Sequence, residues 1–167
     1  MKKSAGFAIA ATIGLLAGCD KAPEQPEKTA QQLMAEEVQP TAEIYWDTVR
    51  YESVLIDGKP VSRDILPKTD EDWKRAGDAA TRLVELANQL QTPEYAAGRR
   101  SDWNQFAGAL AEASQRGQQA VADRDVDKVF ETGGLIYSVC SACHQAYPPA
   151  AGIPSMVPES QSGDDSA

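Results

Sequence analysis

The chain has 167 residues, 42% of them hydrophobic and 25% charged, with a formal net charge of −9, three cysteines and one histidine. That length holds one globular domain of ordinary size with a real core, and the apolar fraction is not that of a disordered chain. The acidic balance excludes a nucleic-acid binder built on a basic patch, and a single imidazole excludes sites needing two, including most catalytic zinc centres.

The chain starts with basic Met1-Lys2-Lys3 and continues through residues 5–16, almost wholly small or apolar and too short to cross a bilayer as a permanent helix. This stretch ends in Leu16-Ala17-Gly18-Cys19, which resembles the lipobox of bacterial lipoproteins. The resemblance implies a signal peptide over residues 1–18, cut before Cys19, whose thiol then carries the lipid. The plainer alternative is a generic secretory signal with a chance cysteine. Asp20 looks like the inner-membrane retention signal of enteric lipoproteins, which implies a periplasmic chain anchored to the inner membrane. Losing residues 1–18 removes Lys2 and Lys3, leaving 14 basic and 25 acidic side chains, a net charge of −11. Anionic headgroups repel such a surface, so the anchor must supply the attachment. Residues 19–28, polar and carrying Pro23 and Pro26, read as a lipidated tether.

From Thr29 to Tyr147 the periodicity is helical, with no convincing alternating strand run. The first helix is expected over Thr29 to Ile56, with Met34, Val38, Ala42, Tyr45 and Val49 on one stripe. Pro40 predicts a kink or a short break, and Asp57-Gly58 a stop. Residues 57–70 then form a loop. A second helix, capped by Thr69 or Asp70, carries the seam Trp73, Ala76, Ala80, Leu83, Ala87 and Leu90, and ends at Pro93. After a turn through Gly98-Arg99-Arg100, Ser101 or Asp102 caps a third, with Trp103, Phe106, Leu110, Ala113, Gly117 and Ala120 inward. Asp123-Arg124-Asp125 leads to a fourth, with Val126, Val129, Phe130, Gly133, Tyr137, Cys140 and His144 on one side. The expected fold is all-α, an antiparallel up-down-up-down four-helix bundle over residues 29–147. Residues 148–167, with four prolines and a Ser/Gly/Asp end, read as a disordered tail.

Cys140-Ser141-Ala142-Cys143-His144 is a C-x-x-C-H, the attachment signal for c-type haem. Two thiols three residues apart can each form a thioether with neighbouring vinyl groups of one porphyrin, and the next residue can present an imidazole to the iron. Three plainer uses compete. A thioredoxin-type pair needs its cysteines at a helix N-terminus after a strand. A zinc site needs further ligands. A disulfide spanning two residues within a helix is geometrically poor. In an exported chain three cysteines would leave one orphan under a disulfide scheme, whereas lipid on Cys19 and haem on Cys140 and Cys143 use all three.

A helical domain with C-x-x-C-H in its last helix, followed by His-x-x-Tyr over Phe130 to Tyr147, resembles the class II c-type cytochromes, the cytochrome c-prime family. Pro148-Pro149 departs from the basic residue often found after that tyrosine. The resemblance implies an up-down-up-down bundle with one covalent haem c near the end of the last helix and His144 as proximal iron ligand. Members carry single electrons between redox partner proteins when a first-helix methionine is the second axial ligand. Members with an open face bind nitric oxide or carbon monoxide. Met34 is the candidate distal ligand, its alternative being core filler, and Met156 would have to wrap round from the tail. Arg50, Arg99 and Arg100 are candidates to pair with the haem propionates, against an ordinary solvated role. The resemblance also allows a homodimer through the first two helices. The expectation is a membrane-tethered periplasmic monohaem electron carrier with no substrate chemistry of its own, the alternative a five-coordinate gas-binding haem protein.

Overall fold

The computed structural model describes residues 25–149. A short helix α1 (Ala30–Leu33), a π-helical segment (Met34–Val38) and α2 (Gln39–Trp46) follow one another without a break. The strands β1 (Arg50–Ile56) and β2 (Lys59–Ile65) come next, then α3 (Asp70–Leu90), a single turn α4 (Pro93–Ala96), α5 (Asp102–Ala122) and α6 (Val126–Ala146). The expected signal peptide, Cys19, Asp20 and Met156 lie outside the described residues, as do all but Pro148 and Pro149 of the expected tail.

Thr29 starts the first helical stretch with a capping box, accepting from the Gln32 amide while the Gln32 side chain accepts from the Thr29 amide. Pro40 does not break this stretch. A proline lacks an N–H and its ring collides with the carbonyl four residues back. Here the Gln39 amide bonds Met34, five residues back, so the wider π turn makes room immediately before the ring.

The first helix ends at Trp46, not at Ile56, and the all-α expectation is corrected by an antiparallel hairpin over residues 50–65. Asp57 and Gly58 are its turn and not a helix stop: φ is +50° and +74°, the two left-handed residues of a type I′ turn, with Ile56 opposite Lys59. Alternation was absent because neither face of this ribbon enters the core. Val54, Leu55 and Ile56 are consecutive and all exposed. Its root is held by Tyr51, whose ring meets Phe130 edge-on at 5.1 Å.

The body of the molecule is α3, α5 and α6, packed antiparallel. Thr69 caps α3 with Asp72 in a second capping box, and Asp125 caps α6. Along the α3–α5 pair, Arg124 reaches Asp70 at 2.5 Å, Gln118 donates to Thr81 at 2.9 Å and the Trp103 indole N–H donates to the Leu90 carbonyl at 2.6 Å. The expected α3 seam is buried from Ala76 to Leu90, with Trp73 at its margin, and the α5 seam is buried except for half-exposed Phe106. In α6 the buried face is instead Val129, Thr132, Gly133 and Ile136; Phe130 and Tyr137 point to solvent, 53% and 63% exposed.

The N-terminal stretch runs antiparallel to α3, with Glu37 bonded to Arg82 at 2.5 Å and the Tyr95 hydroxyl donating to the Lys28 carbonyl at 3.0 Å. Its far end docks on α6. The buried Tyr45 hydroxyl lies 2.7 Å from Thr132 Oγ1, and the Trp46 indole N–H donates to the Gly133 carbonyl at 2.9 Å. Two glycines permit this approach: a Cβ on Gly117 would lie 2.8 Å from the Tyr45 hydroxyl, and one on Gly133 would lie 3.2 Å from the Trp46 ring.

Candidate functional site

Cys140, Cys143 and His144 occupy the last two turns of α6, at the end of the molecule away from the hairpin. Cys140 packs against the rim of the core, Cys143 is half-buried, and His144 is exposed. Both thiols are free. Helical spacing sets Cys140 and His144 one above the other.

Burial pushes the Cys140 thiol up to about 11, with the neighbouring Cys143 adding to the effect. Burial also raises Cys143, and the charge of Asp102 raises it further. This electrostatics is the reverse of a redox or metal-thiolate pair, which needs a stabilised thiolate. Among the described residues no group of three or more His, Cys, Asp or Glu side chains is placed to hold a bare metal ion. What remains is a protonated, held pair of thiols beside a water-accessible imidazole. In the haem-free chain at pH 8, Cys140 should alkylate about tenfold more slowly than an unperturbed cysteine. Its thiolate is about a hundred times rarer, and a higher intrinsic nucleophilicity recovers about tenfold. Iodoacetamide labelling followed by peptide mass spectrometry measures this, and the rate should keep rising with pH beyond 9.

Around the motif, α6 is clamped to the start of α5. The Tyr147 hydroxyl donates to Asp102 at 2.5 Å, and its ring stands edge-on to Trp103 at 5.1 Å. Arg100 pairs with Asp102 at 2.6 Å and lies 5.3 Å from the Tyr147 ring centroid. Arg100, and then Tyr147, hold the Asp102 carboxyl below its usual range. Asp102 entered the sequence argument only as a possible helix cap. Nothing local announces its pairing with a tyrosine 45 residues on.

The other candidates divide by position. Arg99 and Arg100 stand at the motif end, Arg99 with its guanidinium 4.3 Å over Trp103 and bonded to the Tyr95 carbonyl. Arg50 begins β1 at the opposite end, paired with Asp47 at 2.6 Å and Glu52 at 2.9 Å. Met34 is half-buried against the core, in the π segment. Trp46 meets Gly133, and the two helices run antiparallel. Met34 lies twelve residues before Trp46, toward the end of the molecule that carries the motif. The contact between the N-terminal stretch and α6 is concentrated where Tyr45 and Trp46 dock.

That donor set fits a covalently attached haem: two free thiols at the required spacing and an adjoining exposed imidazole, with the Met34 thioether on the N-terminal stretch toward the same end. No protein-family model, curated protein or solved structure matches this chain, so its interpretation rests on these residues and their placement.

Proposed function

We propose that the chain is a membrane-tethered, periplasmic, monohaem c-type cytochrome that carries single electrons to or from a redox partner protein. The observation that carries this is the pair of free, protonated thiols of Cys140 and Cys143 on the last turns of α6, followed directly by exposed His144. Cys140 and Cys143 would hold the porphyrin through thioethers, and His144 would give its imidazole to the iron. A haem held there supplies a one-electron iron couple whose potential follows axial ligation and burial.

The rest of the chain binds, orients and excludes water. In this proposal the N-terminal stretch is the fourth helix of a bundle, and its apolar stripe forms the wall facing α6. Met34 would offer a neutral thioether to the iron, the ligand type that favours its reduced form. The Tyr147–Asp102–Arg100 clamp fixes the turn carrying His144. Attachment would come from lipid on Cys19, at the end of the lipobox-like Leu16-Ala17-Gly18-Cys19.

The test is the visible absorption of the chain expressed with haem-attachment machinery, oxidised, reduced, and reduced under carbon monoxide. Sharp split low-spin bands unmoved by carbon monoxide are expected, with Met34→Ala converting them to high-spin. A spectrum unchanged in Met34→Ala removes Met34 from the iron. Broad bands that shift under the gas assign the open-iron, gas-binding function instead. A chain that acquires no acid-acetone-resistant haem overturns the proposal.

A further inference from the structure

The hairpin is not explained by any of this. It projects at the end opposite the motif as a sheet of two strands. Two-stranded ribbons are marginal in water by themselves. Tyr51, Val54, Leu55, Ile56 and Val61 are all exposed on it, Leu55 at 76%. Among the described residues no backbone hydrogen bond from outside reaches residues 50–65, and no helix packs along either strand. Such an edge is a template for another strand.

The two edges differ. The two-residue turn makes Ile56 and Lys59 the closing hydrogen-bonded pair, so Tyr51, Ser53 and Leu55 direct their N–H and C=O groups outward from β1. On β2 the corresponding outward position opposite Leu55 is Pro60, which has no N–H to give. The open edge is therefore that of β1.

We infer that this edge joins two copies of the chain, β1 against β1 in antiparallel, to make one four-stranded sheet in the order β2-β1-β1-β2. Charge permits a second copy as the occupant, and register favours it. The chain carries −9 overall, yet in residues 50–65 Arg50, Lys59 and Arg63 balance Glu52, Asp57 and Asp64. Through the hairpin two acidic copies meet at a neutral, apolar surface. The strand is also self-complementary when centred on Ser53, the register that overlaps all seven residues. Tyr51 then faces Leu55 of the second copy, Glu52 faces Val54, and Arg50 faces Ile56 beside Asp57. No like charges stand opposite one another, and the Tyr51–Leu55 pair occurs twice. Shifting the centre to Glu52 would bring two carboxylates together.

Analytical ultracentrifugation of the full chain in detergent, at tens of micromolar, should give twice the monomer mass. Leu55→Lys, at a position exposed in the single chain, should weaken the dimer at least tenfold and leave the circular dichroism unchanged. Register is read by cysteine cross-linking: under mild oxidation Ser53→Cys should form a covalent dimer above the wild-type baseline, and Ser62→Cys on β2 should not. A monomeric wild-type chain overturns the inference, whether or not the hairpin then binds phosphatidylglycerol vesicles or another protein. Cross-linking through Ser62→Cys in place of Ser53→Cys overturns the β1 edge. None of these outcomes depends on haem.

Discussion

Replacing Cys140 and Cys143 together by Ala should abolish covalently bound haem completely while leaving a folded chain. The two effects separate because the thiols sit at the rim of the core and not within it. Removing two half-buried sulfurs should cost no more than about 1 kcal/mol, the range of substitutions that open no enclosed cavity. A porphyrin held as proposed would, in contrast, lose both covalent links. Cys140→Ala and Cys143→Ala singly should each retain colour after acid-acetone extraction, because one thioether remains. Thermal unfolding followed at 222 nm, beside the extracted spectrum, reads both quantities in one preparation. Colour retained in the double variant would show that the attachment is elsewhere. A double variant that fails to fold would mean that the motif supports the core, contrary to its placement.

Tyr45→Ala should be the most destabilising single truncation, by roughly 3–5 kcal/mol, the usual cost of emptying an aromatic site in a closed core. Tyr45 is the largest of the fully buried side chains, 1% exposed, and it joins α2 to both α5 and α6. Against a total stability of about 5–15 kcal/mol, such a loss brings the chain close to unfolding at ambient temperature. Tyr45→Phe removes only the hydroxyl and should cost about 1 kcal/mol. Thr132 Oγ1 stays satisfied in that variant, since it also donates to the Lys128 carbonyl at 2.7 Å. Gly117→Ala supplies the geometric check, because its new methyl would meet the Tyr45 hydroxyl. It should destabilise the wild-type chain and be nearly neutral when combined with Tyr45→Ala. Chemical denaturation of the four chains gives the cycle, and additive costs would show that Tyr45 and Gly117 do not touch.

The Cys140–Cys143–His144 spacing, the single histidine, the acidic balance and the amphipathic seams of α3 and α5 were all legible in the sequence. They are local properties, set by which residue types recur at which intervals along one element. The tertiary structure decided what depends on partners far away in the chain. Pro40 could have ended a helix, but a π turn before it made room for its ring. Val49 continued the helical stripe, so the segment after Trp46 read as more helix. The Asp57-Gly58 pair could have signalled a hairpin, but strands exposed on both faces lack the alternation that usually identifies them. The last helix shows the same division. Its C-x-x-C-H was certain from four consecutive intervals, yet which of Phe130, Thr132, Ile136 and Tyr137 faced inward was settled by Tyr45 and Trp46 docking from the N-terminal stretch. Asp102 was visible as a residue and invisible as the partner of Tyr147, because a pairing across 45 residues leaves no periodic trace. Sequence thus determined the motif, its spacing and the period of the long helices. Packing determined their rotation, their ends, and which groups surround the two thiols and the imidazole.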